Sequence, residues 1–174
     1  MERRIETEHL VLRMFRPGDA ERLYEIHAEE NVRKWIPNES YADPGEAAEA
    51  VRFFADYAGH GRLPYVLAAE LKRTGELVGD AGLNAVEGKT GEVEIGYVVS
   101  GRFSGKGYAT ELVKAMTEYA VSGFGISVLY GRVMRGNKAS ARVLEKNGYV
   151  FAGEESGAED DPYGNGMLVY RKDT

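Results

Sequence analysis

The chain is predicted to fold as one mixed α/β domain covering residues 1–174. Three observations carry that expectation. The length suits one domain with a sizeable core. Strand-like apolar runs cluster in the middle of the chain, at residues 65–70, 77–83 and 92–99. After them come a long helical pattern from Tyr108, a strand, a short helix and two closing strands. That order lacks the regular alternation of a doubly wound sheet or a barrel.

The elements follow from local signals. His9 to Phe15 alternates enough apolar residues to form a first strand. Pro17-Gly18-Asp19 breaks the chain, and a helix follows to about Ala28. Trp35-Ile36-Pro37 is expected in a loop. Asp43-Pro44-Gly45-Glu46 starts a second helix: Asp43 can cap, Pro44 suits the first helical position, and Glu46 completes a capping box. Ala47, Ala50, Val51, Phe54 and Tyr57 give that helix one apolar face. Lys72-Arg73-Thr74-Gly75 turns a hairpin between the next two strands. Glu92 to Val99 is a further strand, and Ser100 to Lys106 the loop after it. The long helix places Tyr108, Leu112, Ala115, Met116 and Tyr119 on one side and ends near Ser122-Gly123. Val128 to Met134 is a strand, Asn137 to Asn147 a helix closed by Gly148, and Tyr149 to Gly153 and Met167 to Arg171 are the last strands. Glu154 to Gly166 is an acidic, glycine-rich loop.

Composition narrows the function. With 43% hydrophobic and 29% charged residues, neither disorder nor a fibre is indicated. The absence of cysteine removes disulfides, thiolate metal sites and a cysteine nucleophile. His9, His27 and His60 are not spaced as metal ligands, so no metal is expected. A net charge of −6 argues against general nucleic-acid binding, which needs surplus Lys and Arg. No run approaches the roughly 18 apolar residues of a membrane span. Residues 1–6 carry no apolar signal core, so a cytoplasmic location is expected.

The informative stretch is Arg102-Phe103-Ser104-Gly105-Lys106-Gly107-Tyr108-Ala109, which joins a strand to a helix. Gly105 and Gly107 lack Cβ atoms, so successive N–H groups can converge at a helix N-terminus, where the dipole also favours an anion. Arg102 and Lys106 add positive charge. A Walker loop would need Ser or Thr where Gly107 stands, and a dinucleotide fingerprint would need glycine at Thr110. Both fail, which leaves a diphosphate cradle of another kind or a glycine-rich turn without a ligand.

One strand later, Asn137-Lys138-Ala139-Ser140 opens a helix that Glu145-Lys146-Asn147-Gly148-Tyr149 closes. Together with Arg102 to Gly107, which matches the pattern Gln/Arg-x-x-Gly-x-Gly/Ala, these residues resemble the GNAT superfamily of N-acetyltransferases. The runs EIGYVVSGRFSGKGYATE and GNKASARVLEKNGY look like its ribosomal-protein-alanine N-acetyltransferase branch, as do residues 7–13 and 77–83. The resemblance implies a mixed sheet, flanked by helices, whose two middle strands splay to admit acetyl-CoA. By the same resemblance, the backbone of Tyr97, Val98 and Val99 pairs with the pantetheine arm. The N–H groups of Gly105, Gly107, Tyr108 and Ala109 hold the pyrophosphate, and Asn137 contacts the cofactor from the other side. A homodimer is common among such proteins.

The implied reaction is direct attack of a neutral amine on a thioester, with Val98 or Val99 N–H as oxyanion donor. Glu94 is the candidate base; Glu92 shares its face of the strand, and both could instead be solvated carboxylates. The family's acidic tyrosine, seven residues after the asparagine, is Leu144 here. Ser140 is the candidate donor to the thiolate, or a first-turn residue bonded to backbone. Tyr149 is expected in the core. Lys138, Arg142 and Lys146 form a stripe that either meets the 3′-phosphate or is solvated, with Lys138 the candidate. Trp35 and Tyr41 lie where relatives shape the acceptor pocket. Glu154, Glu155, Glu159, Asp160 and Asp161 would attract a cationic acceptor or keep their loop soluble. The acceptor is a peptide N-terminus or a small amine. A non-catalytic acyl-CoA sensor and a plain nucleotide-binding protein are the competing readings.

Overall fold

The structure is a computed structural model and describes residues 4–156 and 166–174. Eight strands form one sheet in the order β1-β2-β3-β4-β5-β6-β8-β7. They are β1 Arg4–Glu6, β2 Leu10–Arg13, β3 Tyr65–Leu71, β4 Leu77–Ala85, β5 Glu92–Val99, β6 Val128–Met134, β7 Val150–Glu155 and β8 Met167–Asp173. Five helices accompany them: α1 Ala20–Ala28, α2 Glu30–Trp35, α3 Pro44–Gly59, α4 Tyr108–Phe124 and α5 Lys138–Lys146. All ladders are antiparallel except β5–β6.

Strand alternation splits the core between the two faces of the sheet. Val66, Ala68 and Val98 pack with Leu23 and Ile26 of α1, Val32 of α2 and Val51 of α3. Leu67, Ala69, Val93 and Ile95 face the other way, onto Leu112, Val113 and Met116 of α4 and Leu144 of α5. Leu112 and Met116 are fully buried, and each contributes about 1.5–3 kcal/mol of apolar burial.

The helix signals are largely realised. Asp43 accepts the Glu46 N–H at 2.9 Å, and Pro44 opens α3. Glu46 closes the box one residue early, on Ala42 N–H at 3.2 Å. Helix α4 runs past Gly123 to a left-handed cap at Gly125 (φ 66°). Two elements depart from expectation. Glu30–Trp35 form α2, a helix not expected there, whose last residue falls where a loop is expected; it is held by burial of Val32 and not by a capping side chain. A short β1 precedes the first expected strand, because Thr7 Oγ1 accepts Leu10 N–H at 3.0 Å and turns the chain back on itself. Thr7 Oγ1 and the His9 N–H both meet Glu111 in the first turn of α4, which ties this edge to that helix.

Two polar clusters fix the α1–α3 layer to the sheet. Arg13, almost fully buried, binds Asp19 at 2.8 and 2.9 Å and Glu70 at 2.7 Å. His27 on α1 is also buried, with Nδ1 2.7 Å from Glu39 O and Nε2 2.8 Å from Asp80 Oδ2. A ring facing an acceptor at each nitrogen needs two N–H groups, which is the imidazolium. Burial alone would lower its pKa; the Asp80 charge and the two hydrogen bonds outweigh that and raise it above 6.5.

A raised folded pKa gives stability that is complete below the unfolded value and lost as pH rises through the folded one. Urea unfolding of the wild type against His27→Gln should show a wild-type advantage that is constant below about pH 6.5 and shrinks above it. An advantage that stays flat from about pH 6 to about pH 9 would mean no proton is linked to folding at this ring.

Candidate active site

The site begins where the parallel ladder between β5 and β6 stops. β5 and β6 pair at Glu92–Val128, Val93–Leu129 and Glu94–Tyr130, and no further. β5 continues to Val99 paired with β4, and β6 continues to Met134 paired with β8. The two strands therefore open toward their C-terminal ends, the V-shaped parting expected of the middle strands.

Each arm of the opening leads into a helix N-terminus. β5 runs through a 3-10 turn at Gly101–Phe103 to the loop before α4. Gly105 and Gly107 there have φ of 76° and 82°, a left-handed backbone that L-residues with a Cβ enter at a cost. Among the described residues, no backbone carbonyl accepts from Gly105, Gly107, Tyr108 or Ala109 N–H. Four donors of this kind at a helix start can hold a diphosphate. β6 leads to α5, where Asn137 caps its own helix by accepting the Ser140 N–H at 3.2 Å.

Two connected chambers fill the opening. One, of about 460 Å³, is walled by Val99, Ser104, Gly105, Gly107, Tyr108 and Ala109, with Arg142 and Lys146 of α5 opposite. The other, of about 450 Å³, is walled by His27, Glu39, Tyr41, Asp80, Glu94 and Arg132. Trp35, Ile36, Tyr97, Val98, Asn137 and Ser140 line both, and so mark the junction. Trp35, expected in a loop beside the acceptor pocket, sits instead at the end of α2 and lines that junction.

The expected residues fall into distinct places. Val98, Val99, Gly105, Gly107, Tyr108, Ala109 and Asn137 line the loop-side chamber. Arg102 turns away to an ion pair with Glu76, 3.2 Å apart on the outer surface. Lys106 and Lys138 are exposed and line neither chamber. Glu94 faces the second chamber alone and is ion-paired with Arg132, which also grips Glu155 at 3.0 and 3.1 Å. Glu92 does not reach it; its carboxylate meets Tyr130 Oη at 3.1 Å and Lys89 at 3.2 Å. Tyr149 is core, bonded to Thr117 at 2.8 Å. Glu154 pairs with Arg135; Glu159, Asp160 and Asp161 lie outside the described residues.

Three features of the site escaped sequence reasoning. The Tyr97 hydroxyl lies 2.5 Å from Ser140 Oγ. Alternation along β5 already places Tyr97 opposite Glu94, but the meeting with α5 joins residues 43 apart in sequence. The second is the His27–Asp80 pair, which joins α1 to β4. The third is Glu39: burial raises the pKa of its carboxyl against the lowering effect of the His27 charge, and the charges of Asp80 and Glu94 raise it further. Among the described residues no group of three or more His, Asp or Glu is placed to hold a metal ion, and no helix is long and apolar enough to cross a membrane.

This architecture has close counterparts. The acetyltransferase (GNAT) domain pattern matches residues 9–150. YdaF of Bacillus subtilis (strain 168), which carries the name of a ribosomal N-acetyltransferase, is 32% identical over 94% of this chain and 90% of its own. A GNAT-family acetyltransferase from Bacillus anthracis superposes with a TM-score of 0.83 at 24% identity, covering 98% of both chains. RimL, a ribosomal L7/L12 α-N-protein acetyltransferase solved with Coenzyme A, superposes at 0.80 with 21% identity over 98% of both chains. The parted β5 and β6, the glycine loop before α4 and the matched pattern agree: this chain belongs to the GNAT acetyltransferase family.

Proposed function

We propose that this protein transfers an acetyl group from acetyl-CoA to a primary amine by direct attack within a ternary complex. The observation that carries this reading is the pair of chambers meeting at Tyr97 and Val98, with a set of main-chain donors at the far end of one of them. The thioester enters along the loop-side chamber and the amine through the other. The diphosphate rests on the N–H groups of Gly105, Gly107, Tyr108 and Ala109. Arg142 and Lys146, which line that chamber, are better placed for the 3′-phosphate than the exposed Lys138. Asn137 borders the acyl end.

The backbone of β5 serves the pantetheine arm as the edge for an added strand. Ser100 N–H donates to Val78 O at 2.8 Å, so the two-residue alternation of the ladder turns Val98 N–H toward β4 as well. Tyr97 and Val99 then present their N–H groups to the opening, which favours Val99 over Val98 as oxyanion donor.

Glu94 borders the amine's chamber and receives its proton through water, since Arg132 already occupies one carboxylate oxygen. Glu39, Asp80, Glu94 and Glu155 line this chamber against the cations His27 and Arg132, which attracts a positively charged acceptor. An α-amine, with a pKa near 7.7–8.0, sheds its proton more readily than a lysine near 10.4. A peptide N-terminus or a small weakly basic amine is therefore the acceptor. The name borne by YdaF points toward a ribosomal protein's N-terminus.

One observation favours a non-catalytic acyl-CoA sensor. Leu144, in the place of the family's acidic tyrosine, is 1% exposed and packs over Gly131, out of reach of the cleft. A panel of peptide N-termini and small amines, followed by release of the CoA thiol, separates the readings. An enzyme turns over with at least one acceptor, whereas a sensor binds CoA and turns over none.

Gly107→Asp should lower CoA affinity at least about tenfold, since a carboxylate would face the diphosphate at a helix start that favours anions. Calorimetric titration reads the affinity and thermal unfolding checks that the fold persists; unchanged affinity would take the loop out of the site. Glu94→Gln should slow turnover on the order of a hundredfold while acetyl-CoA affinity holds. An unaltered rate would assign proton removal to bulk water or another group.

A further inference from the structure

We propose that Tyr97 is a positioning residue for Ser140: its hydroxyl donates to Ser140 Oγ and so aims the serine O–H at the thioester sulfur as the C–S bond breaks. The inference rests on the acetyl-transfer reading above and assigns a role to a side chain which that reading leaves unused.

Tyr97 and Ser140 carry the only hydroxyls that line both chambers among the described residues. They come from opposite arms of the opening, β5 and the first turn of α5. The other tyrosines near the site are engaged elsewhere. Tyr41 lines only the amine's chamber, Tyr108 only the loop-side chamber, and Tyr149 is bonded to Thr117 inside the core. Ser140 is held in place because its own N–H is fixed by the Asn137 cap.

Tyr97 Oη has two acceptors within reach, Ser140 Oγ at 2.5 Å and Ser140 O at 3.1 Å. Two proton arrangements follow. In the first, the tyrosine donates to the carbonyl and the serine donates to the tyrosine, so the serine proton is spent inside the pair. In the second, the tyrosine donates to Oγ and the serine proton is free to point into the junction. A neutral thioester sulfur accepts hydrogen bonds poorly and leaves the first arrangement competitive. A sulfur gaining negative charge favours the second, because a charge-assisted bond is stronger than a neutral one. The pair thus stabilises the leaving group more in the transition state than in the ground state, which is what accelerates a chemical step.

Burial pushes the Tyr97 hydroxyl up to about 12, so it stays protonated and able to donate across the working pH range. The same shift makes it a poor proton source for a thiolate, and no proton need leave the pair. The amine nitrogen bonds to the carbonyl carbon and its surplus proton passes through water to Glu94. The electron pair of the C–S bond goes to sulfur, to which the serine O–H donates a hydrogen bond.

The test is a double-mutant cycle on acetyl transfer with Tyr97→Phe, Ser140→Ala and the double variant, with kcat and acetyl-CoA KM measured separately. Tyr97→Phe keeps the ring and removes only the oxygen. Each single variant should lower kcat about tenfold, the worth of a hydrogen bond to a charged group. KM should change less than about twofold, and the double variant should be no slower than Ser140→Ala alone. Tyr97→Phe with the wild-type kcat overturns the proposal, and so does a double variant slowed by the product of the two singles. A wild type that acetylates no amine removes the reaction and this role with it. An active wild type matched by Tyr97→Phe removes the role alone and leaves the reaction standing.

Discussion

Three residue pairs join β5 to β6, and the cleft at the centre of this fold depends on the ladder ending there. A parallel ladder that ran on would fill the gap with backbone hydrogen bonds and leave no room for a ligand. Instead each strand keeps its outer partner, β4 or β8, and turns its inner edge to an open cleft. Unpaired peptide groups inside a protein are costly to leave without partners. On the reading proposed above, a ligand that carries its own amides takes the place of the missing strand and relieves that cost. The opening is thus a cleft by default of pairing.

The parting also aims the two helices. α4 follows β5 and α5 follows β6, so divergence of the strands sets both helix N-termini around one cavity. The two starts are capped differently. Asn137 satisfies a donor of α5 from its own side chain, while α4 begins at a left-handed glycine with no side-chain cap. The first helix start is closed to a ligand and serves to hold Ser140. The second is open and exposes its donors.

Along β5 the period of two assigns opposite work to neighbouring residues. Glu94 and Val98 look toward the α1–α3 layer, and Tyr97 and Val99 toward α4 and α5. One strand therefore borders one chamber with the Glu94 carboxylate and the junction of the two chambers with the Tyr97 hydroxyl. Arg132 bridges Glu94 and Glu155 just beyond the last β5–β6 pair, so a side-chain contact spans the strands where backbone pairing ceases. Because its groups are partly solvated, this bridge contributes more to placement than to stability.

Local signals decided much of the fold on their own. β5 and β6 occupy the expected residues 92–99 and 128–134, because their apolar content and flanking turns need no distant partner to be recognised. Asp43 and Pro44 start α3 as their chemistry demands. The glycine loop was legible for the same reason, since a positive φ at Gly105 and Gly107 is a property of those residues themselves. Elements without a strong local signature were missed. α2 has no side-chain cap and is carried by burial of Val32, and β1 exists only through its ladder with β2. The same division runs through the site. The glycines of the loop marked it as a candidate by themselves, and the family resemblance singled out Glu94, Asn137 and Ser140. Only the packed molecule could bring Tyr97 onto Ser140, turn Arg102 outward to Glu76, couple Glu94 to Arg132 and seat His27 on Asp80. Each of these depends on where a side chain from one element meets another tens of residues away, and that is determined by the register and divergence of strands rather than by any residue's own preference.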